Sequence, residues 1–124
     1  MAYQSFEDLD VWKLSRILRN QIFTLSKEFP DNEKYKLTDQ IIRSSRSITA
    51  NIAEGHGRFH YQENIQFCRM ARGSLTETKD HLICAFDCQY ISEETLSSLN
   101  QQYEVILQKL NGYIAYLKTK KGIS

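Results

Sequence analysis

Between residues 96 and 117 the side chains Leu96, Leu99, Tyr103, Ile106, Leu110, Tyr113 and Leu117 recur at alternating steps of three and four. Such steps hold one stripe on one side of a helix, whereas a strand changes face at every residue. A seam kept over three heptads has the pattern of a coiled coil. A lone helix cannot bury it, so the seam demands partner helices from the rest of the chain.

Three further segments supply them. Over residues 9–28 the stripe is Val11, Leu14, Leu18, Ile22, Leu25 and Phe29, with Lys13, Arg16, Arg19 and Asn20 off it. Asp8 or Asp10 can cap its start, and Phe29-Pro30 closes it, because the residue before a proline avoids the helical conformation. Over residues 33–54, Leu37, Ile41, Ser44/Ser45, Ile48 and Ile52 face inward, and Asp39, Arg43, Arg46, Ala50 and Glu54 form a second line. Asp39 to Arg43 and Glu54 to Arg58 are acid-to-base pairs one turn apart, each contributing about 0.3 kcal/mol when exposed. Over residues 61–88 the inner side is Phe67, Ala71, Ser74/Leu75, Thr78, Leu82 and Ala85/Phe86. Gly73 in mid-helix costs about 1 kcal/mol against alanine, which implies close approach of another backbone. Ser92 caps the last helix, with Glu93 and Glu94 favourable in its first turn.

One proline and five glycines in 124 residues suit long helices rather than turn-rich strands. The connections are short, so neighbours run antiparallel. The expectation is an all-α, up-down-up-down four-helix bundle forming a single domain over residues 1–124. No apolar run approaches the roughly 20 residues that span a bilayer, and the start, MAYQSFEDLD, has no apolar leader core. A cytoplasmic protein with no membrane partner is expected. Cys68, Cys84 and Cys88 are odd in number, which suits reduced, buried, apolar thiols.

The net charge of +1 is far from the strongly basic balance of a general nucleic-acid binder, so such a role needs a local patch. The cluster Lys118, Lys120, Lys121 reads as favourable charge at a helix C-terminus.

The stretch Glu54-Gly55-His56-Gly57-Arg58 lies where the second helix must end. Glycine tolerates the left-handed conformation that ends many helices, so the simplest reading is a C-cap and tight turn. A second reading has the turn present Asn51, Glu54, His56 and Arg58 to a partner. His56, His60 and Glu63 would share a face only on an unbroken helix, and no HExxH or paired Glu-x-x-His motif exists, so no metal site is expected. No serine stands in a nucleophile elbow, so no catalytic residue and no cofactor are assigned. Ser44, Ser45, Ser47, Thr49, Ala50 and Ala53, opposite Ala71, Gly73 and Ser74, read instead as small residues that let two helices approach.

Several motifs together resemble a known family. Leu37-Thr38-Asp39-Gln40-Ile41, Asn51-Ile52-Ala53-Glu54-Gly55, Gly57-Arg58 and Ala71-Arg72-Gly73-Ser74-Leu75 with Glu77 are similar to the signature of the four-helix bundle proteins encoded in 23S rRNA intervening sequences. Phe6-Glu7-Asp8-Leu9 with Val11-Trp12, and Phe29-Pro30 with Glu33, fit as well. Lys36, Ile42, Arg46 and His56 depart from the usual pattern. The resemblance implies an antiparallel bundle that assembles into a ring, a pentamer in characterised relatives. In a related subgroup, the accessory proteins of diversity-generating retroelements, a basic barrel associates with reverse transcriptase and nucleic acid. Carried over by position, Asn51, Glu54, Gly55, Arg58, Arg72, Gly73, Ser74 and Glu77 are expected to maintain the turn between helices two and three and the subunit contacts. Glu54 or Glu77 would take a bidentate contact from Arg58 or Arg72.

Two functional readings follow. In one, the protein is a non-enzymatic, oligomeric accessory factor for RNA or DNA and a nucleic-acid-processing protein, with Arg43, Arg46, Arg58, Arg69 and Arg72 as phosphate contacts. In the other, it is an oligomeric protein-binding scaffold without nucleic acid, whose polar stripes and tyrosines, Tyr61 and Tyr116 among them, face a protein partner.

Overall fold

A computed structural model describes residues 5–123. Residues 1–4, part of the start read above as leaderless, lie outside the described residues, as does Ser124. Four helices follow one another: α1, Asp10–Ser26; α2, Leu37–His56; α3, Tyr61–Asp87; α4, Glu93–Ile123. Single 3-10 turns at Phe6–Asp8 and Asp31–Glu33 precede α1 and α2. Cross-helix contacts run in opposite numerical order: Arg19 with Thr49 and Phe23 with Arg46, Ser44 with Thr78 and Ser47 with Ser74, Asn64 with Tyr113 and Lys79 with Glu104. Adjacent helices are therefore antiparallel. Each helix packs on the two beside it and not on the one diagonally across, which is the expected up-down-up-down bundle.

The expected stripes build the core. Leu18, Ile22, Ile41, Ile48, Ile52, Leu75, Leu82, Ile106, Leu110 and Leu117 are all less than 2% exposed or at that limit. The seam of α4 shifts near its end: Ile114 is buried and Tyr113 only half-buried. A helix turns every 3.6 residues, so a strict 3.5-residue repeat drifts off the inner face of a long helix.

The helix ends differ from expectation in instructive ways. Neither Asp8 nor Asp10 caps α1. Asp8 accepts the Ser5 N–H at 3.3 Å while Ser5 Oγ accepts from Glu7 at 3.2 Å, closing a capping box on the 3-10 turn. Asp10 is already inside α1, where its charge favours the helix N-terminus. Helix α2 starts four residues later than its pattern suggests. Glu33 stays in the connection and accepts bonds from Leu37 N–H at 3.4 Å and Tyr90 Oη at 2.7 Å, tying the two connections at that end of the bundle together. Beyond α3 the backbone closes a Schellman motif, Tyr90 N–H to Ala85 C=O and Gln89 N–H to Phe86 C=O, both at 2.9 Å. Its left-handed residue is Gln89, φ 65°. Ser92 caps α4 as expected, accepting the Thr95 N–H at 3.1 Å.

Gly57 caps α2 as expected, though without a left-handed backbone, while the close approach expected at Gly73 is found at Gly55. Among the described residues none of them adopts a positive φ. Gly55 lies inside α2, and Gly57 caps that helix at φ −79°. What Gly55 supplies is space: a Cβ there would meet Asn64 Oδ1 at 2.7 Å, Phe67 Cβ at 2.9 Å and the Asn64 carbonyl oxygen at 3.1 Å. Gly73, where close approach was expected, is exposed with nothing within 4 Å. The small-residue contact is narrower than its sequence suggests. Ser44 and Ser47 hydrogen-bond Thr78 and Ser74 of α3 at 2.8 and 2.9 Å, whereas Ala50 and Ala53 turn towards α1.

Only Cys68 is a buried thiol. It donates to Asn64 Oδ1 at 3.5 Å, and burial pushes its pKa up to about 12. Cys84 and Cys88 are exposed: Cys84 stands on the solvent side of the last turn of α3, off the line through Leu82 and Ala85, and Cys88 caps that helix.

Candidate nucleic-acid interface

The side of α1 that borders α2 carries a second periodicity. Trp12, Arg16, Arg19, Phe23 and Lys27 follow at steps of four, three, four and four, so aromatic and basic side chains share one edge. Opposite them α2 presents Arg46 and then the small Ala50 and Ala53, which leave an open groove of about 510 Å³ between the helices.

The inner wall is fixed by packing. Trp12 is 9% exposed, with Phe6 edge-on to it at 5.1 Å. The Arg16 and Arg19 guanidiniums lie over its ring at 5.6 and 5.9 Å. Arg19 also donates to Thr49 Oγ1 at 2.7 Å across the groove floor. Phe23 is 39% exposed, and its ring faces Lys27 at 4.7 Å and Arg46 at 5.3 Å. Among the described residues, Arg16, Arg19, Lys27 and Arg46 have no carboxylate in ion-pairing range. Four cations without carboxylate partners, lying over aromatic rings beside an open groove, make a local basic surface in a chain of nearly neutral net charge.

Of the five arginines expected to contact phosphate, the groove contains Arg46 alone. Arg43 lies further out on α2, 79% exposed and 3.5 Å from Asp39. Arg58 stands in the α2–α3 connection over Phe67. Arg69 is exposed on α3, and Arg72 donates to Asn111 of α4 at 2.8 Å. The structure therefore distributes the set over separate edges of the bundle. Arg16, Arg19 and Lys27 of the groove edge are not among the five, although a sequence signal for them is present. Their spacing joins them to Trp12 and Phe23, a pattern that the stronger apolar stripe of the same helix overlays.

The signature residues also divide. Asn51 donates to the Ser47 carbonyl at 2.9 Å and to Ser47 Oγ at 3.0 Å, and Ser74 donates to the same hydroxyl. With Gly55 against Asn64 and Phe67, they hold α2 on α3. Arg58 pairs with Glu54 at 2.7 Å and Glu63 at 3.6 Å, so it bridges two carboxylates rather than gripping one. Glu77 pairs with His81 at 3.1 Å and not with Arg72. Gly73 is exposed, and a Cβ there would meet nothing within 4 Å. Tyr61 and Tyr116 are exposed near the end of the bundle formed by the start of α3 and the end of α4, where Tyr113 stacks on Tyr116 at 6.4 Å and hydrogen-bonds Asn64.

Among the described residues no group of three or more histidine, cysteine or carboxylate side chains is placed to hold a metal ion, and no helix is long and apolar enough to cross a membrane.

Four antiparallel helices around one core, with no strand among the described residues, define a small four-helix bundle protein. The chain belongs to the 23S rRNA-intervening sequence protein family, whose profile matches residues 7–112. It is also similar to a solved protein of unknown function of the S23 ribosomal protein family from Bacteroides thetaiotaomicron. The two share 27% identity and a TM-score of 0.78, over 85% of this chain and 95% of that one. No curated protein matches the chain in sequence.

Proposed function

We propose that this protein is a non-enzymatic, oligomeric accessory factor of the cytoplasm that binds nucleic acid through the α1–α2 groove. The observation that carries the reading is the row Arg16, Arg19, Arg46 and Lys27, unpaired with any carboxylate and supported on Trp12 and Phe23. Cations with no carboxylate partner can neutralise phosphates without first breaking an ion pair, and released counterions then drive binding. Arg43, Arg58, Arg69 and Arg72 are peripheral contacts in this scheme.

Self-association has a separate basis. On the other side of α1, Leu14 and Ile17 join Val105 and Ile106 of α4 around an open groove of about 320 Å³, with Ile17 50% and Val105 45% exposed. A second copy covering this face would bury apolar surface while leaving the basic groove open. The same apolar face favours the alternative reading, a protein-binding scaffold without nucleic acid.

Native mass spectrometry of the reduced protein, purified without nuclease, tests both parts. A ring-sized assembly carrying nucleic-acid mass is the expected result, and a monomer would remove the oligomer. In salt titrations the binding constant should fall steeply, and the double substitution Arg19→Gln with Arg46→Gln should lower the slope of log K against log salt by roughly 2. Salt-independent binding, or none, would remove the nucleic-acid role in favour of the scaffold.

A further inference from the structure

We propose that the α1–α2 groove selects single-stranded over duplex nucleic acid, with Phe23 as the platform for an unpaired base. The inference rests on the nucleic-acid reading above and names the form of the ligand.

The basic-aromatic edge is linear. Fifteen residues separate Trp12 from Lys27, which at helical rise is about 22 Å, a length that follows a strand backbone over several phosphates. One cation of the edge, Arg19, is also recessed, while Arg16, Lys27 and Arg46 are exposed. Arg19 is half-buried at the groove floor, held there by Thr49, and Ala50 and Ala53 leave the opposite wall low. A flexible strand can lower a phosphate to that depth, whereas a duplex presents its phosphates on a convex, stiff surface.

Phe23 supplies the discrimination. It is the groove's exposed aromatic ring, in contrast to the nearly buried Trp12. Its covers are Lys27 and Arg46, two long side chains with no carboxylate to hold them. When phosphates arrive, both cations gain partners by moving off the ring, and the exposed face becomes available to a base. Only an unpaired base offers a free π-face for stacking, because in a duplex that face is covered by its neighbours. The groove has few polar groups able to read base edges, Asn20 and Thr49 among them. The preference should therefore be for strandedness rather than for sequence.

The test is fluorescence anisotropy at low salt with two probes, a labelled mixed-sequence RNA oligonucleotide and the same strand annealed to its complement. The wild type should bind the single strand about tenfold more tightly or better. Phe23→Leu should lose about tenfold on the single strand and little on the duplex, and Phe23→Tyr should retain the preference. Arg46→Gln should weaken both. Circular dichroism checks that each variant is folded, which the exposure of Phe23 favours. Equal wild-type affinity for the two probes would overturn the inference while leaving the nucleic-acid role intact, as would a Phe23→Leu variant that keeps the wild-type preference. No binding of either probe would remove both.

Discussion

Gly55 is the position where the structure makes its sharpest demand on the sequence. In Gly55→Ala the new Cβ would stand 2.7 Å from Asn64 Oδ1, 2.9 Å from Phe67 Cβ and 3.1 Å from the Asn64 carbonyl oxygen. None of these atoms yields cheaply. The carbonyl is backbone, Phe67 Cβ is fixed to α3, and the Asn64 amide is held from both sides by Cys68 Sγ at 3.5 Å and Tyr113 Oη at 3.2 Å. Overpacking of this kind costs about 2–3 kcal/mol, and alanine returns about 1 kcal/mol of helix propensity. The net loss is about 1–2 kcal/mol, or a fall in Tm of about 4–10 °C for a domain of this size. Gly73→Ala is the control. It changes another glycine within a helix but has nothing within 4 Å, so propensity acts alone and should raise Tm by about 2–5 °C. Gly57→Ala, with an αR backbone and its nearest contact at 3.5 Å, should change stability by less than about 0.5 kcal/mol. Thermal unfolding followed by circular dichroism reads all three. If Gly55→Ala is as stable as Gly73→Ala, the close α2–α3 packing at Asn64 is refuted.

Three further outcomes follow from other parts of the bundle. Gln89 holds the left-handed position of the Schellman motif, so Gln89→Gly should stabilise the fold by about 0.5–1 kcal/mol in chemical denaturation. The bond from Tyr90 to Glu33, with burial and the nearby carboxylate charge, pushes the phenol pKa up to about 12 from the usual 10. Between those values the unfolded chain holds fewer protons than the folded one, so stability is complete below pH 10 and falls towards pH 12; Tyr90→Phe should flatten this part of the stability–pH curve. Under native conditions, Ellman's reagent should titrate Cys84 and Cys88 promptly, while Cys68 reacts only when the chain unfolds. Prompt reaction of all three thiols would contradict the burial of Cys68.

Much of the fold was legible because helical periodicity is a local property. The stripes through Leu18 and Ile22, Ile48 and Ile52, Leu75 and Leu82, and Ile106 and Leu110 all mark the buried side correctly. The cap at Ser92 was legible for the same reason: a hydroxyl bonds its own first turn. The site was legible only in fragments. Arg46 could be named from its line on α2, but its companions lie on α1, and nothing in a linear pattern tells which edges of two helices will adjoin.

The number of helices, their antiparallel order and the inward side of each are written in the residue order, since these depend on spacing, breakers and short connections within the chain. Packing between helices sets the rest: Gly55 is needed for space rather than for a turn, Gly73 faces solvent, and Ala50 and Ala53 open a groove towards α1. It also brings Arg16, Arg19, Lys27 and Arg46 together around Trp12 and Phe23 and ties Arg72 to Asn111, while Arg58 pairs with Glu54. The physical reason is that periodicity fixes the direction of a side chain about its own helix axis, whereas contact, crowding and charge neutralisation depend on the rotation and offset of the neighbouring helix.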